Sequence, residues 1–342
     1  MMNRILTPLL LIAAFAATAC AGSMTGGPVT DTLDRVQPNV VKIYGAGGPR
    51  GLEPYQSGVL LSAEGHILTA FSYVLDTDYI TVTLLDGRKF EAKLLGADPR
   101  IEVAVLKIDA ADLPHFELND AVEVDPGTRV LAVSNLFGVA AGNEPASVQH
   151  GVVSVKTRLA ARRGAFETIY RGPVYVLDVA TNNPGAAGGA LVTRRGELVG
   201  LLGKELRNSL NNTWLNYALP IDQLRESVEA IRAGRFLTER QQQPQNKPDR
   251  SLRLDLLGIV LVPDVLQRTP AYVDQVRAAS PAAEAGIRPD DLVLLLGERL
   301  IRSCHALREE LEYVDFEDRV RLTVLRGRDL LEMALQYTAE NE

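Results

Sequence analysis

Short apolar stretches, rich in β-branched residues and separated by glycine, proline and Asp-Gly turns, recur from residue 40 to residue 218. They lie at 40–44, 57–61, 65–69, 80–84, 90–96 and 103–108, then at 129–134, 151–156, 174–179, 189–193, 198–203 and 215–218. Each is too short to be a globular helix, and its composition favours the pleated strand. About a dozen such strands, with a single strongly helical segment over 221–233, predict closed antiparallel barrels or sandwiches. A short helix over 31–36 is expected to lead in.

The pattern breaks at 237–250, LTERQQQPQNKPDR, which is polar, glutamine-rich and carries two prolines, and so reads as a linker. Beyond it, strands at 256–261, 271–276, 291–296 and 319–325 with a helix at 303–313 predict a second compact unit. A length of 342 residues fits two domains, and a hydrophobic content of 46% is enough to give each a core. The net charge of −7 has both signs scattered along the chain, so no nucleic-acid footprint is present. His66, His115, His150 and His305 have no paired spacing with cysteines or carboxylates, so neither a metal site nor a cofactor is expected.

The start, MMNRILTPLLLIAAFAATAC, places Arg4 before an apolar run too short to span a bilayer and ends in small residues, as a secretion signal does. Ala17-Thr18-Ala19-Cys20 resembles a bacterial lipoprotein box, which would make Cys20 a lipidated first residue and the membrane a partner. Ordinary cleavage after Ala19 or nearby is the alternative. Either outcome leaves Cys304 without a disulfide partner.

The candidate site is residues 181–192, TNNPGAAGGALV. An Asn-Pro-Gly turn followed by small residues and a Gly-Gly pair offers backbone N–H groups to one concavity, where negative charge can develop. This resembles the nucleophile loop of the HtrA/Deg family of trypsin-like serine proteases, with Gly185, Ala186 and Ala187 in the place of its oxyanion loop. The resemblance extends over 57–61 and 65–69, over 96–108 (GADPRIEVAVLKI), over 151–154 and over 217–221 (YALPI). It reaches the second unit through 257–260 (LGIV) and 280–291 (SPAAEAGIRPDD), which resemble a PDZ domain.

The resemblance implies a mainly β fold: a trypsin-like double barrel followed by a PDZ domain. It divides the chain into a signal over 1–20, a tether over 21–30, a protease-type domain over 31–236, a linker over 237–250 and a PDZ domain over 251–340. At the three triad positions it puts Ser72 for the histidine, Glu102 for the aspartate and Ala187 for the serine. A serine hydroxyl is no base near neutrality, and alanine forms no acyl intermediate. The expectation is therefore a pseudoprotease of the bacterial envelope, acting as scaffold or regulator of protein quality control. The alternative is an active endopeptidase that draws on an unrecognised nucleophile and base, for which Ser134, Ser154 and His150 are the candidates by composition. In the PDZ unit the resemblance implies capture of peptide or protein C-termini by Leu257, Gly258, Ile259, Val260 and Leu261 with Leu307 on the helix, although apolar residues there also suit a plain core. It also implies a homo-oligomer, typically a trimer. Cys304 and His305 are helix neighbours, so they do not face each other.

Overall fold

The computed structural model describes residues 29–47, 51–164, 166–236, 247–265 and 268–337. The expected signal, Cys20, the tether up to residue 28, the linker from 237 to 246 and the last residues from 338 lie outside the described ones. Helix α1 (Val29–Val36) takes in two positions expected of the tether. Its Thr32 hydroxyl donates to the Arg194 carbonyl at 2.9 Å, fixing the helix to the second barrel.

Strands β1 (Val40–Tyr44), β2 (Tyr55–Leu60), β3 (His66–Ala70), β4 (Ile80–Thr83), β5 (Lys89–Asp98) and β6 (Val103–Ile108) close a barrel in the order β1-β2-β3-β6-β5-β4. Alternation is weak in β1, β3 and β6, because both faces of these strands are covered. Lys42 is buried among them at 1% exposure. Its ammonium donates to the Gly142 and Glu144 carbonyls at 2.5 and 2.9 Å, and burial pushes its pKa down.

After β7 (Arg129–Ser134) and β8 (Ser147–Arg158) come two short strands, β9 (Ala161–Arg163) and β10 (Phe166–Glu167). The chain continues through β11 (Pro173–Leu177), β12 (Ala190–Thr193), β13 (Leu198–Leu202), β14 (Leu206–Asn208), β15 (Trp214–Leu215) and β16 (Tyr217–Pro220). The second barrel runs β11-β16-β13-β12-β7-β8, while β10-β9-β14-β15 form a side sheet that the sequence reading did not anticipate. The expected strand at 215–218 is thus divided between β15 and β16.

Helix α2 (Ile221–Arg232) follows directly and buries Leu224, Val228 and Ile231 at helical spacing against β5 and β6 of the first barrel. Ser227 on the same face donates to the fully buried Asp98 at 2.6 Å, and Arg100 forks onto that carboxylate.

The second unit begins earlier than the linker reading placed it. Lys247 pairs with Glu312, and the Arg250 guanidinium lies 4.0 Å from the centre of the Phe316 ring. The strand expected at 256–261 is divided: helix α3 (Leu254–Leu257) ends at left-handed Gly258, and only then does β17 (Ile259–Leu261) begin. β17 pairs with β18 (Val273–Val276) alone, so its other edge is open among the described strands. Helix α4 (Pro281–Glu284), β19 (Leu292–Leu296), β20 (Arg299–Leu300), α5 (Cys304–Leu311), β21 (Val320–Arg326) and β22 (Asp329–Leu335) complete the unit. Cys304 is buried and free, whereas His305 is exposed and pairs with Glu309 one turn on.

Candidate functional site

The loop from β11 to β12 lies at the seam of the two barrels. Gly185 adopts φ +86°, and the Ser57 hydroxyl on β2 donates to its carbonyl at 2.7 Å. The Ser57 amide donates to the Ala187 carbonyl at 2.9 Å, so the loop of one barrel is fastened to a strand of the other. Ala186 and Gly189 amides are used within the loop. The amides of Gly185 and Ala187 have no acceptor among the described residues, and Ala187 is half-buried rather than sealed. Two N–H groups beside an open cleft are what an anion or a peptide carbonyl requires.

Ser72 follows β3 and faces the same cleft. Its hydroxyl donates to Gln56 Oε1 at 2.5 Å and accepts from the Val74 amide at 3.1 Å. The Gln56 amide group donates in turn to Thr69 Oγ1 and the Ala70 carbonyl, which leaves Ser72 at the end of a satisfied chain of bonds. Glu102, at φ +58°, accepts from the Phe71 amide through its carbonyl at 2.8 Å. Its carboxylate is held by Lys204 Nζ at 2.5 Å, with side-chain exposures of only 16% and 18%. Position 72 and Glu102 are therefore one peptide apart, yet the carboxylate is committed elsewhere.

The structure thus brings Ser72 to the cleft lined by Gly185 and Ala187, while Glu102 lines the adjoining cavity and is linked to the cleft through Lys204. About 20 Å³ of open space remains beside Ser72, Gly185 and Ala187, room for roughly one water. Gln56, Lys204, Glu205, Arg163, Tyr55 and Tyr73 also line it. The Arg163 guanidinium lies over the Tyr73 ring at 5.2 Å. Burial pushes the Glu205 carboxyl up, with Glu53 adding to the shift and Arg163 opposing it. Burial also drives the Tyr217 phenol far upward, helped by the Glu102 charge, so it stays neutral while accepting from the Lys204 amide.

Lys204 and Gln56 escaped the sequence reading. Lys204 stands just after the apolar strand β13, far in sequence from Glu102, and only closure of the two barrels makes them neighbours. Gln56 is an ordinary strand residue by every local measure.

The candidates Ser134, Ser154 and His150 lie elsewhere, as does the strand residue His66. His66 opens β3, where its Nδ1 is 2.8 Å from the Ser62 hydroxyl across the hairpin. Burial, then Arg232 and Lys107, pull its pKa down. Ser134 is buried at the end of β7, and Ser154 and His150 lie exposed on β8. None of the four lines the cleft.

A second cavity, about 380 Å³, lies where the PDZ unit docks on the cleft. Phe71, Ser72, Glu102 and Lys204 line it from the barrels, and Leu294 and Arg302 from the PDZ unit. Arg302 donates to the Leu75 carbonyl at 2.7 Å, and Arg268 pairs with Asp76 and Asp78.

In the PDZ unit, Leu257, Ile259, Leu261 and Leu307 are buried at 0%, 3%, 7% and 0%. Their side chains form the floor of the unit more than the walls of a groove. Val260 is 48% exposed. A cavity of about 320 Å³ opens beside them, between 252–255 and the end of α5, lined by Leu252, Leu254 and Leu311 with Arg253, Asp255, Arg308 and Glu312.

Two six-stranded barrels, a glycine-turned loop at their seam and an appended unit with one open strand edge define a trypsin-like double-barrel protein carrying a PDZ domain. A trypsin-like peptidase domain matches residues 56–201, and a PDZ domain matches 255–336. HhoB of Synechocystis sp., described as a serine protease, is 27% identical over 322 residues, which covers 91% of this chain and 72% of HhoB. A DegP-like periplasmic serine endoprotease of Pseudomonas putida is 33% identical over 257 residues, 72% of this chain and 48% of that protein. The chain spans about half the length of the DegP-like relatives it matches. The solved structure of the HtrA-type protease AlgW with a tripeptide superimposes with a TM-score of 0.50 at 25% identity, covering 91% of this chain and 96% of AlgW. The chain belongs to the HtrA/Deg family.

Proposed function

We propose that this chain is a catalytically silent member of its family, which binds peptides or protein C-termini through the PDZ domain as a scaffold or regulator of protein quality control in the bacterial envelope. One observation carries the reading: Glu102 is spent on Lys204, at the cleft where a triad would need that carboxylate to orient an imidazole. Ser72 and Ala187 are consistent with it, since a serine hydroxyl is no base near neutrality and an alanine carries no nucleophile. The names of its relatives support an envelope setting, and the tripeptide on AlgW supports peptide recognition. Fold kinship alone would suggest proteolysis, but activity resides in the site.

The test is a fluorophosphonate probe used alongside casein digestion. Neither labelling nor cleavage is expected, and stoichiometric labelling of any serine would refute the reading.

Anchoring through Cys20 belongs to the same proposal. Incorporation of labelled palmitate in bacteria should vanish in Cys20→Ser, and the protein should move from membranes to the soluble fraction. Palmitate incorporation that survives the substitution would rule out Cys20 as the anchor.

A further inference from the structure

Residues 158–164 (RLAARRG) and 206–216 (LRNSLNNTWLN), which supply β9, β14 and β15 of the side sheet, contain four arginines and no carboxylate, in a chain of net charge −7. Directly opposite residues of antiparallel strands share a face. The register sets Arg162 of β9 opposite Arg207 of β14, and Arg207 opposite Trp214 of the edge strand β15. Like charges in that relation destabilise a sheet, and an anion lying on both removes the repulsion. Neither arginine has a carboxylate partner among the described residues. Arg162 donates to the Gly164 carbonyl at 2.8 Å and to Asn212 Oδ1 at 3.1 Å, and Arg207 to the Asn212 carbonyl at 3.4 Å. Glu167, on the other side of Arg162 in the same row, is taken by Arg328 of the PDZ unit at 2.9 Å and by Arg171 at 3.6 Å.

The same hairpin exposes apolar side chains. Trp214, the chain's one tryptophan, is 55% exposed with the Arg207 guanidinium 4.0 Å from its ring centre. Leu210, at the tip, is 92% exposed. The turn is nonetheless built: Asn208 Oδ1 accepts from the Leu210 and Asn211 amides at 2.8 and 3.3 Å, and Asn211 Oδ1 accepts from the Thr213 amide and hydroxyl at 3.1 and 2.7 Å. The asparagines satisfy the backbone of the turn, which lowers the cost of taking it out of water.

An indole and an aliphatic tip beside unpaired guanidinium groups suit a membrane–water boundary. The ring sits at headgroup level, the aliphatic side chain enters the acyl region, and the cations meet lipid phosphates. We infer that the β14–β15 hairpin is a membrane-contact site, which seats Leu210 and Trp214 in a bilayer bearing anionic phospholipid and sets Arg162 and Arg207 on its phosphate groups. Charge favours lipid over a second copy of the chain, because the same face docked on itself would bring arginine against arginine. The contact is separate from acylation at Cys20 and does not depend on the cleft being silent.

The test uses the chain from Ala21 onward, which contains every described element without the signal or an acyl chain. Its single tryptophan makes emission a direct report on the hairpin. Vesicles of equimolar phosphatidylcholine and phosphatidylglycerol are expected to shift the emission to the blue, and acyl-chain-brominated lipid in them to quench it, whereas pure phosphatidylcholine does neither. Affinity should fall about fivefold in Arg162→Gln and again in Arg207→Gln, and be largely kept in Arg207→Lys. Leu210→Ser, which touches none of the turn's hydrogen bonds, should weaken binding at least about tenfold. No shift with either vesicle overturns the inference, and an equal shift with pure phosphatidylcholine overturns the call for anionic lipid. A loss in Arg207→Lys as large as in Arg207→Gln overturns the role of charge, and unchanged quenching in Leu210→Ser overturns insertion of the tip. A shift that grows with protein concentration in the absence of vesicles assigns the face to a second copy and overturns the membrane contact.

Discussion

Ala187→Ser alone is expected to leave the chain without measurable proteolysis, whereas Ala187→Ser combined with Ser72→His and Lys204→Ala should digest casein and take a fluorophosphonate at position 187. The single variant has a hydroxyl but no base, and the residual acceleration from a backbone anion site, about 10³–10⁴ over water, is invisible in such an assay. Adding Ser72→His supplies an imidazole one residue from Phe71, whose amide is bonded to the Glu102 carbonyl. In that double variant Lys204 still holds the carboxylate at 2.5 Å, so the imidazole has no partner to fix its tautomer. Lys204→Ala frees Glu102. Because triad members act as a unit, most of the gain, on the order of 10⁶, should appear only when all three changes are present. Robust activity in Ala187→Ser alone would mean that another group serves as base and that position 72 has been misassigned. Full activity in the double variant would mean that the Lys204 pair is no obstacle.

The fold was legible because its determinants are local. Strand composition, turn residues and the helical spacing of Leu224, Val228 and Ile231 each act within a few residues, and the barrels follow from closing such strands. The misses were short or mixed elements. The strands of the side sheet contain only two or three residues and carry Arg162, Arg163, Arg207 and Asn208, which no alternation rule marks. Helix α3 was hidden because LDLL has the apolar content of a strand, and only the left-handed turn at Gly258 separates it from β17. At the site, the loop of residues 181–192 was readable from its glycines, while Glu102–Lys204 and Ser72–Gln56 were not. Each of these pairs joins segments that meet only in the folded chain, and nothing in the spacing of the partners signals the contact.

Gly185→Ala is expected to destabilise the barrels by at least about 4 kcal/mol, and Gly127→Ala by about 1–2 kcal/mol. Both glycines have positive φ, +86° and +91°, so both substitutions carry the cost of placing an L side chain in the left-handed region. They differ in what the new methyl meets. At Gly127 nothing lies within 4 Å, so the conformational cost stands alone. At Gly185 the methyl would sit 2.0 Å from the Asn135 carbonyl oxygen and 2.9 Å from the Tyr55 ring. The Asn135 backbone has no room to yield: it is fully buried, and its amide donates to the Ser57 hydroxyl, which itself donates to the Gly185 carbonyl. Relief would require the seam between the barrels to open. Calorimetry of the two variants beside the wild-type chain separates the two costs. Equal shifts in the two variants would mean that the 185–187 loop can be displaced without disturbing the seam, and hence that its shape is maintained by something other than packing between the two barrels.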